Sequence, residues 1–82
     1  MAINKPFVIN QPEVGKLIRE LRLLTGLTQE QFAARLGVTY PTINRWENGR
    51  SKPSPLALEK IETELHQIGD RGKELFNKYL AN

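Results

Sequence analysis

Asn44, Arg45 and Asn48 stand close together in a chain of 82 residues, and the segment after them reads Arg50-Ser51-Lys52-Pro53. Amide, guanidinium and hydroxyl groups are suited to exchanging hydrogen bonds with phosphates or base edges. They are not suited to making or breaking covalent bonds. No nucleophile is spaced with a general base, no carboxylates pair in a plausible cleft, and no glycine loop or metal-ligand cluster is present. The sequence therefore predicts no catalytic residue, no metal and no cofactor. His66, the one histidine, has no ligand partners and reads as exposed, on the polar side or near the end of a helix.

These side chains need a helix to carry them, and that helix needs a support. Thr28 to Asn48 reads as a short helix, a turn and a second short helix. The first starts at a capping box, Thr28-Gln-Glu-Gln31, with Leu27 placed to staple onto Phe32. Phe32, Ala33 and Leu36 form its inner face, and Gly37 supplies a left-handed stop. At about nine residues it is too short to stand alone. The second helix spans about Pro41 to Asn48 and stops at Gly49. Val38, Ile43, Trp46 and Glu47 face inward. Pro41, Asn44, Arg45 and Asn48 point the other way, with Tyr40 and Thr42 on the flanks. Trp46 shares a face with Ile43 and so belongs to the core, whereas Tyr40 is equally open to a ligand or to water. The outward face carries no acidic residue. A short helix of this kind, propped at an angle by a three-residue turn, fits a groove about 12 Å wide.

The rest of the chain supports this unit. A helix from about Gln11 to Thr25, capped by Asn10 or Gln11, carries the stripe Val14, Leu17, Ile18, Leu21 and Leu24. Gly26 ends it, and Gly15 within it signals close packing. Ser54 caps and Pro55 opens a fourth helix with the seam Leu58, Ile61 and Leu65, which Leu56 is placed to join. After Gly69, Asp70 to about Leu80 forms an amphipathic helix with Leu75, Phe76, Tyr79 and Leu80 on one side, either a cap on the core or a dimer surface. The architecture expected is all-α and five-helical. Residues 1–10 form an N-terminal arm, 11–68 the helix-turn-helix domain with its central unit at about 28–48, and 69–82 a C-terminal helix. Whether Phe7-Val8-Ile9 is an arm, an edge strand or a pad on the core is left open by the sequence.

Composition sets the frame. Apolar residues make up 39% and charged residues 26%, which suits a soluble globular domain. The chain has no cysteine, no apolar signal segment and no apolar run near the roughly 20 residues of a membrane span, so a cytoplasmic protein without a membrane partner is expected. Residues 1–53 hold eight Lys/Arg against four Asp/Glu, and residues 54–82 four against five. A basic front half suits a polyanionic partner.

Residues 14–65 resemble the lambda-repressor-like, Xre/Cro-type helix-turn-helix domain. The resemblance rests on Ile18-Arg-Glu-Leu-Arg22, Leu27-Thr-Gln29, Phe32-Ala33, Leu36-Gly37-Val38, Ile43, Trp46-Glu47-Asn48-Gly49 and Arg50-Ser51-Lys52-Pro53, in that order and spacing. It implies base contacts from Thr39, Tyr40, Pro41, Thr42, Asn44 and Arg45. Arg45 would pair with guanine, Asn44 with adenine, and Thr42 with a thymine methyl group. It also implies phosphate contacts from Gln29, Asn48, Arg50, Ser51 and Lys52, and a structural ion pair between Arg22 and Glu47. Pro41 departs from the pattern. Proline disfavours helical geometry at Tyr40, which puts the helix start, and the roles of Thr39 and Tyr40, in question.

The expected function is a sequence-specific, double-stranded DNA-binding transcriptional regulator, a repressor acting as a homodimer through the fifth helix. The alternatives are an antitoxin that binds a toxin protein and represses its own operon, or a protein–protein adapter that does not read DNA. An enzyme is not expected.

Overall fold

Residues 11–79 are described by the computed structural model, and they form α1 (Gln11–Thr25), α2 (Gln29–Leu36), α3 (Tyr40–Glu47), α4 (Pro55–Ile68) and α5 (Asp70–Tyr79). The expected arm at 1–10, Asn10 as a cap, and Leu80 lie outside the described residues. Helix α1 packs against α3 and α5, α2 against α3, and α4 against α5. No described helix is long and apolar enough to cross a membrane.

Each helix follows from its sequence with few exceptions. Val14, Leu17, Ile18 and Leu21 of α1 are wholly buried, as their spacing demands. Leu24 departs from the stripe and is 37% exposed. At 100° per residue it lies about 70° from the middle of the stripe. It also sits in the last turn, lining an open groove with Leu23 and residues of α5. Gly15 is buried where α1 crosses the end of α3. A Cβ there would lie 2.6 Å from the Trp46 carbonyl oxygen and 2.9 Å from that of Glu47.

The capping box of α2 is formed in both directions. The Gln31 N–H donates to Thr28 Oγ1 at 3.1 Å, and the Thr28 N–H donates to Gln31 Oε1 at 3.0 Å. Gly37 closes the helix at φ +74°, a left-handed conformation costly for a side chain. Phe32, Ala33 and Leu36 are buried, and Leu27 packs against the same core.

Helix α3 begins and ends one residue earlier than expected, at Tyr40–Glu47 rather than Pro41–Asn48. Thr39 is the N-cap, in extended conformation, and Asn48 the C-cap. Pro41 is tolerated because a first-turn N–H has no intrahelical acceptor to lose, and no preceding helical turn meets its ring. The Thr39 carbonyl receives N–H donors from Thr42 at 3.1 Å and Ile43 at 3.3 Å, which holds Tyr40 in the helix despite the pre-proline preference. Ile43 and Trp46 are buried.

Ser54 caps α4 by accepting the Ala57 N–H at 3.2 Å. Leu58, Ile61 and Leu65 face the core, but Leu56 is 63% exposed. Two residues before Leu58, it falls about 200° round the helix, on the outer face. Helix α5 places Leu75 in the common core, with Phe76 and Tyr79 packed against it. The Tyr79 hydroxyl donates to Glu20 Oε2 at 2.5 Å, tying α5 to α1. Gly72 has a role that its sequence position did not reveal. It is buried, and a Cβ there would overlap the backbone carbonyl of Leu65.

Both crossings should be intolerant of a methyl group. In an open helix Gly→Ala gains about 1 kcal/mol. Here Gly15→Ala and Gly72→Ala should each lower stability by about 1–3 kcal/mol, the cost of overpacking. The exposed Lys16→Ala should stay within about 0.5 kcal/mol of wild type. Urea denaturation measures all three, and a stability gain in either glycine variant would contradict these helix contacts.

Candidate nucleic-acid interface

The last side chain of α3 points away from solvent. Glu47 ends a polar, exposed helix, yet its carboxylate is 0% exposed. Arg22, near the end of α1, binds it through two parallel hydrogen bonds, Nε to Oε2 at 2.7 Å and Nη2 to Oε1 at 3.1 Å. The same guanidinium donates from Nη1 to the Leu27 carbonyl at 3.2 Å, just ahead of α2. Arg19 Nε lies 3.6 Å from Glu47 Oε1 on the more exposed side. Gln29, the first residue of α2, donates from Nε2 to the same oxygen at 3.0 Å. One carboxylate thus joins three helices. The Arg22–Glu47 pair is formed as expected, and no buried side-chain polar atom among the described residues lacks a partner.

Burial by itself pushes the Glu47 carboxyl up. The hydrogen bonds from Arg22 and Gln29 and the positive charges of Arg22 and Arg19 outweigh that effect and hold it below its ordinary value of about 4.5. The hydrogen bond to Glu47 raises Arg22 in turn, against the effect of its own burial.

The network continues outward from Gln29. Gln29 Oε1 accepts from Asn44 Nδ2 at 3.3 Å, and Asn44 Oδ1 accepts from Asn48 Nδ2 at 3.1 Å. Gln29, expected to meet a phosphate, is half-buried and bonds Glu47 and Asn44 through its amide, with one N–H remaining. Nothing in the sequence signals these links, because 18 and 15 residues separate Gln29 from its partners. Arg19 was likewise missed as a third donor group around Glu47.

The remaining candidate residues cluster on the outer side of α3. Thr39, Tyr40, Pro41, Arg45 and Asn48 are exposed, and Thr42 and Asn44 are half-buried. The hydroxyls of Thr39 and Thr42 are 2.9 Å apart, and Arg45 Nη2 reaches Thr42 Oγ1 at 3.4 Å, at the outer limit of a hydrogen bond. Beyond the C-cap, the Arg50 N–H donates to the Arg45 carbonyl at 2.9 Å, folding the basic loop onto the end of the helix. Arg50 and Lys52 are exposed there, and Ser51 is half-buried.

Among the described residues the basic side chains on and just after α3, Arg45, Arg50 and Lys52, form no salt bridge, as is also true of Lys16, Lys60, Arg71 and Lys73 elsewhere. Arg19, Arg22, Arg35 and Lys78 do form them. The one carboxylate of α3 is the buried Glu47. The outer face therefore presents guanidinium, ammonium, amide and hydroxyl groups with no accessible negative charge on that helix. Such a surface can bind phosphates and exchange hydrogen bonds with base edges. Among the described residues no group of three His, Cys, Asp or Glu side chains is placed to hold a metal ion.

A family model described as helix-turn-helix matches residues 18–66. An "uncharacterized HTH-type transcriptional regulator" of Methanothermobacter thermautotrophicus is 49% identical over 49 residues, covering 60% of this chain and 71% of its own length. A protein of the same description from Archaeoglobus fulgidus is 32% identical over 66 residues, covering 79% of this chain but 29% of its own length. A "putative multi-protein-binding factor 1" of Yarrowia lipolytica is 35% identical over 65 residues, covering 79% of this chain and 42% of its own length. The chain thus spans less than half of two of these three relatives. No solved structure matches.

Arg22→Ala should destabilise the domain by about 3 kcal/mol at neutral pH, because it strands a buried carboxylate. The loss should depend on pH. In wild type the lowered carboxyl pKa means that, below about pH 4.5, the unfolded chain binds a proton at Glu47 before the folded chain does. The Glu47 contribution is complete above that pH and disappears as pH falls through the depressed folded value. Urea unfolding of the two proteins at pH 6 and pH 3 should show the gap narrowing in acid. A constant gap would contradict an ion-pair role.

Proposed function

On the premise that the chain belongs to the Xre/Cro-like helix-turn-helix family, we propose that it is a sequence-specific, double-stranded DNA-binding transcriptional regulator that represses by occupying its operator. The observation that carries this reading is the outer face of α3. It offers Arg45 without a salt bridge and no accessible carboxylate, it is held in place by the buried Glu47, and Arg50 and Lys52 follow it directly. In this reading α3 enters the major groove. Thr39, Tyr40, Pro41, Thr42, Asn44 and Arg45 meet the bases, and Gln29, Asn48, Arg50, Ser51 and Lys52 meet phosphates. The guanidinium of Arg45 supplies a bidentate contact to guanine.

The protein binds as a homodimer on half-sites about one helical turn, some 34 Å, apart. The groove between α1 and α5 supports this, because Leu23 at 63% and Leu24 at 37% exposure flank Asp70, Arg71, Glu74 and Lys78, a mixed-charge rim. A toxin partner forms no part of the proposal.

A second reading is an adapter that binds protein rather than DNA. It is favoured by the relative named as a multi-protein-binding factor and by the same exposed leucines. The two readings differ in salt dependence, since only phosphate contacts release counterions from DNA.

Selection from random duplexes tests the proposal. Wild type should enrich a short palindrome and lose affinity steeply as salt rises. Arg45→Ala should lose its preference at one symmetric base pair, a cost of about 1–3 kcal/mol per contact. No enrichment, with no binding even at low salt, would reject the DNA reading.

A further inference from the structure

The polar side chains running from Glu47 to the outer face of α3 have a direction. An ionised carboxylate accepts hydrogen bonds and cannot donate them. Gln29 must therefore turn its NH2 group toward Glu47, which leaves Oε1 facing Asn44. Asn44 must then donate through Nδ2, so its Oδ1 faces Asn48, which donates in turn. The bonds run head to tail, Asn48 to Asn44 to Gln29 to Glu47. Reversing the Asn44 amide would set oxygen against oxygen at Gln29 and NH2 against NH2 at Asn48.

We propose that Glu47, acting through Gln29, fixes which way round Asn44 shows its amide to DNA, and thereby sets the orientation of the A·T pair that Asn44 reads. The inference rests on the DNA-binding reading above. After its internal bonds Asn44 keeps one N–H and one acceptor position on Oδ1. These are the two groups needed for adenine, whose N7 accepts and whose N6 amine donates in the major groove. Across the groove an A·T pair offers acceptor, donor, acceptor and methyl, and a T·A pair offers the reverse. An amide free to turn over can match either order in part, whereas one locked from behind matches only one. Gln29 and Glu47 are positioning residues here. The second N–H of Gln29 remains available to a phosphate, so one side chain links the backbone contact to the base contact.

The test compares wild type, Asn44→Ala, Gln29→Ala and Lys52→Ala on duplexes built from the selected operator. The pair under Asn44 is the one whose preference Asn44→Ala abolishes, and it is varied through all four base pairs. Wild type should favour A·T over T·A there by about tenfold or more, the range of a good bidentate contact. Gln29→Ala should compress that ratio to below about threefold and leave preferences at other pairs intact. Lys52→Ala should weaken all duplexes alike. Gln29→Ala removes one of the bonds to Glu47 and leaves the two from Arg22, so the variant should fold, which circular dichroism checks.

A uniform loss in Gln29→Ala with the A·T preference intact would overturn this inference alone and leave Gln29 as a phosphate contact. Failure of wild type to select any motif would overturn the DNA reading and this inference with it. Wild-type nuclear magnetic resonance spectra give a readout that needs no variant. The hydrogen-bonded side-chain amide proton of Gln29 and that of Asn44 should exchange slowly with solvent, and fast exchange at either would overturn the lock.

Discussion

The structure depends on one buried charge. Glu47 is placed where water cannot reach its carboxylate, and an isolated carboxylate there would be strongly unfavourable. It is tolerated because Arg22 meets it with two parallel bonds and Gln29 adds a third. That requirement fixes geometry. The end of α1, the start of α2 and the end of α3 must converge on one point, and α3 loses its freedom to rock or turn. Gly15 makes the convergence possible. It lies seven residues before Arg22, on nearly the same face of α1, and its missing side chain lets α1 approach the Trp46 and Glu47 backbone.

Two helices of eight residues are too short to persist alone. Their stability comes from Phe32, Ala33, Leu36, Ile43 and Trp46 packing against α1 and α4. Those residues and Glu47 hold α3 from behind, and Arg45 on the outer face has no salt bridge among the described residues. Packing uses the inner face of these two turns, and the DNA contacts proposed above would use the outer one. The amides of Asn44 and Asn48 lie on that outer side and are also bonded within the network that leads to Glu47.

Local chemistry was the most legible part of the sequence. The capping box at Thr28, the left-handed stop at Gly37 and the Ser54-Pro55 helix start each depend on a few adjacent residues, and all formed as read. Burial was legible wherever the spacing centred a residue on its stripe. It failed for Leu24 and Leu56, which lie off-centre or on the outer face of their helices. The start of α3 was misplaced by one residue because the restriction before Pro41 was weighed without the hydrogen bonds to the Thr39 carbonyl that offset it. Gly72 went unread although Gly15 raised the same cue, a glycine inside an amphipathic helix. The Arg22–Glu47 pair was reached through family resemblance. The Gln29 network was not reached at all, since contacts 15 and 18 residues apart leave no mark on local pattern.

The central claim is that the outer side of α3, with Gln29 and the Arg50-Ser51-Lys52 loop, is the surface that meets DNA. The most direct measurement is residue-by-residue nuclear magnetic resonance of the labelled protein, titrated with a mixed-sequence duplex at low salt. It needs no knowledge of the operator. The account predicts that shifts concentrate at Gln29 and residues 39–52 and leave the outer face of α4 unmoved. Shifts centred instead on Leu23, Leu24, Arg71 and Lys78, or no shifts at any residue, would contradict it.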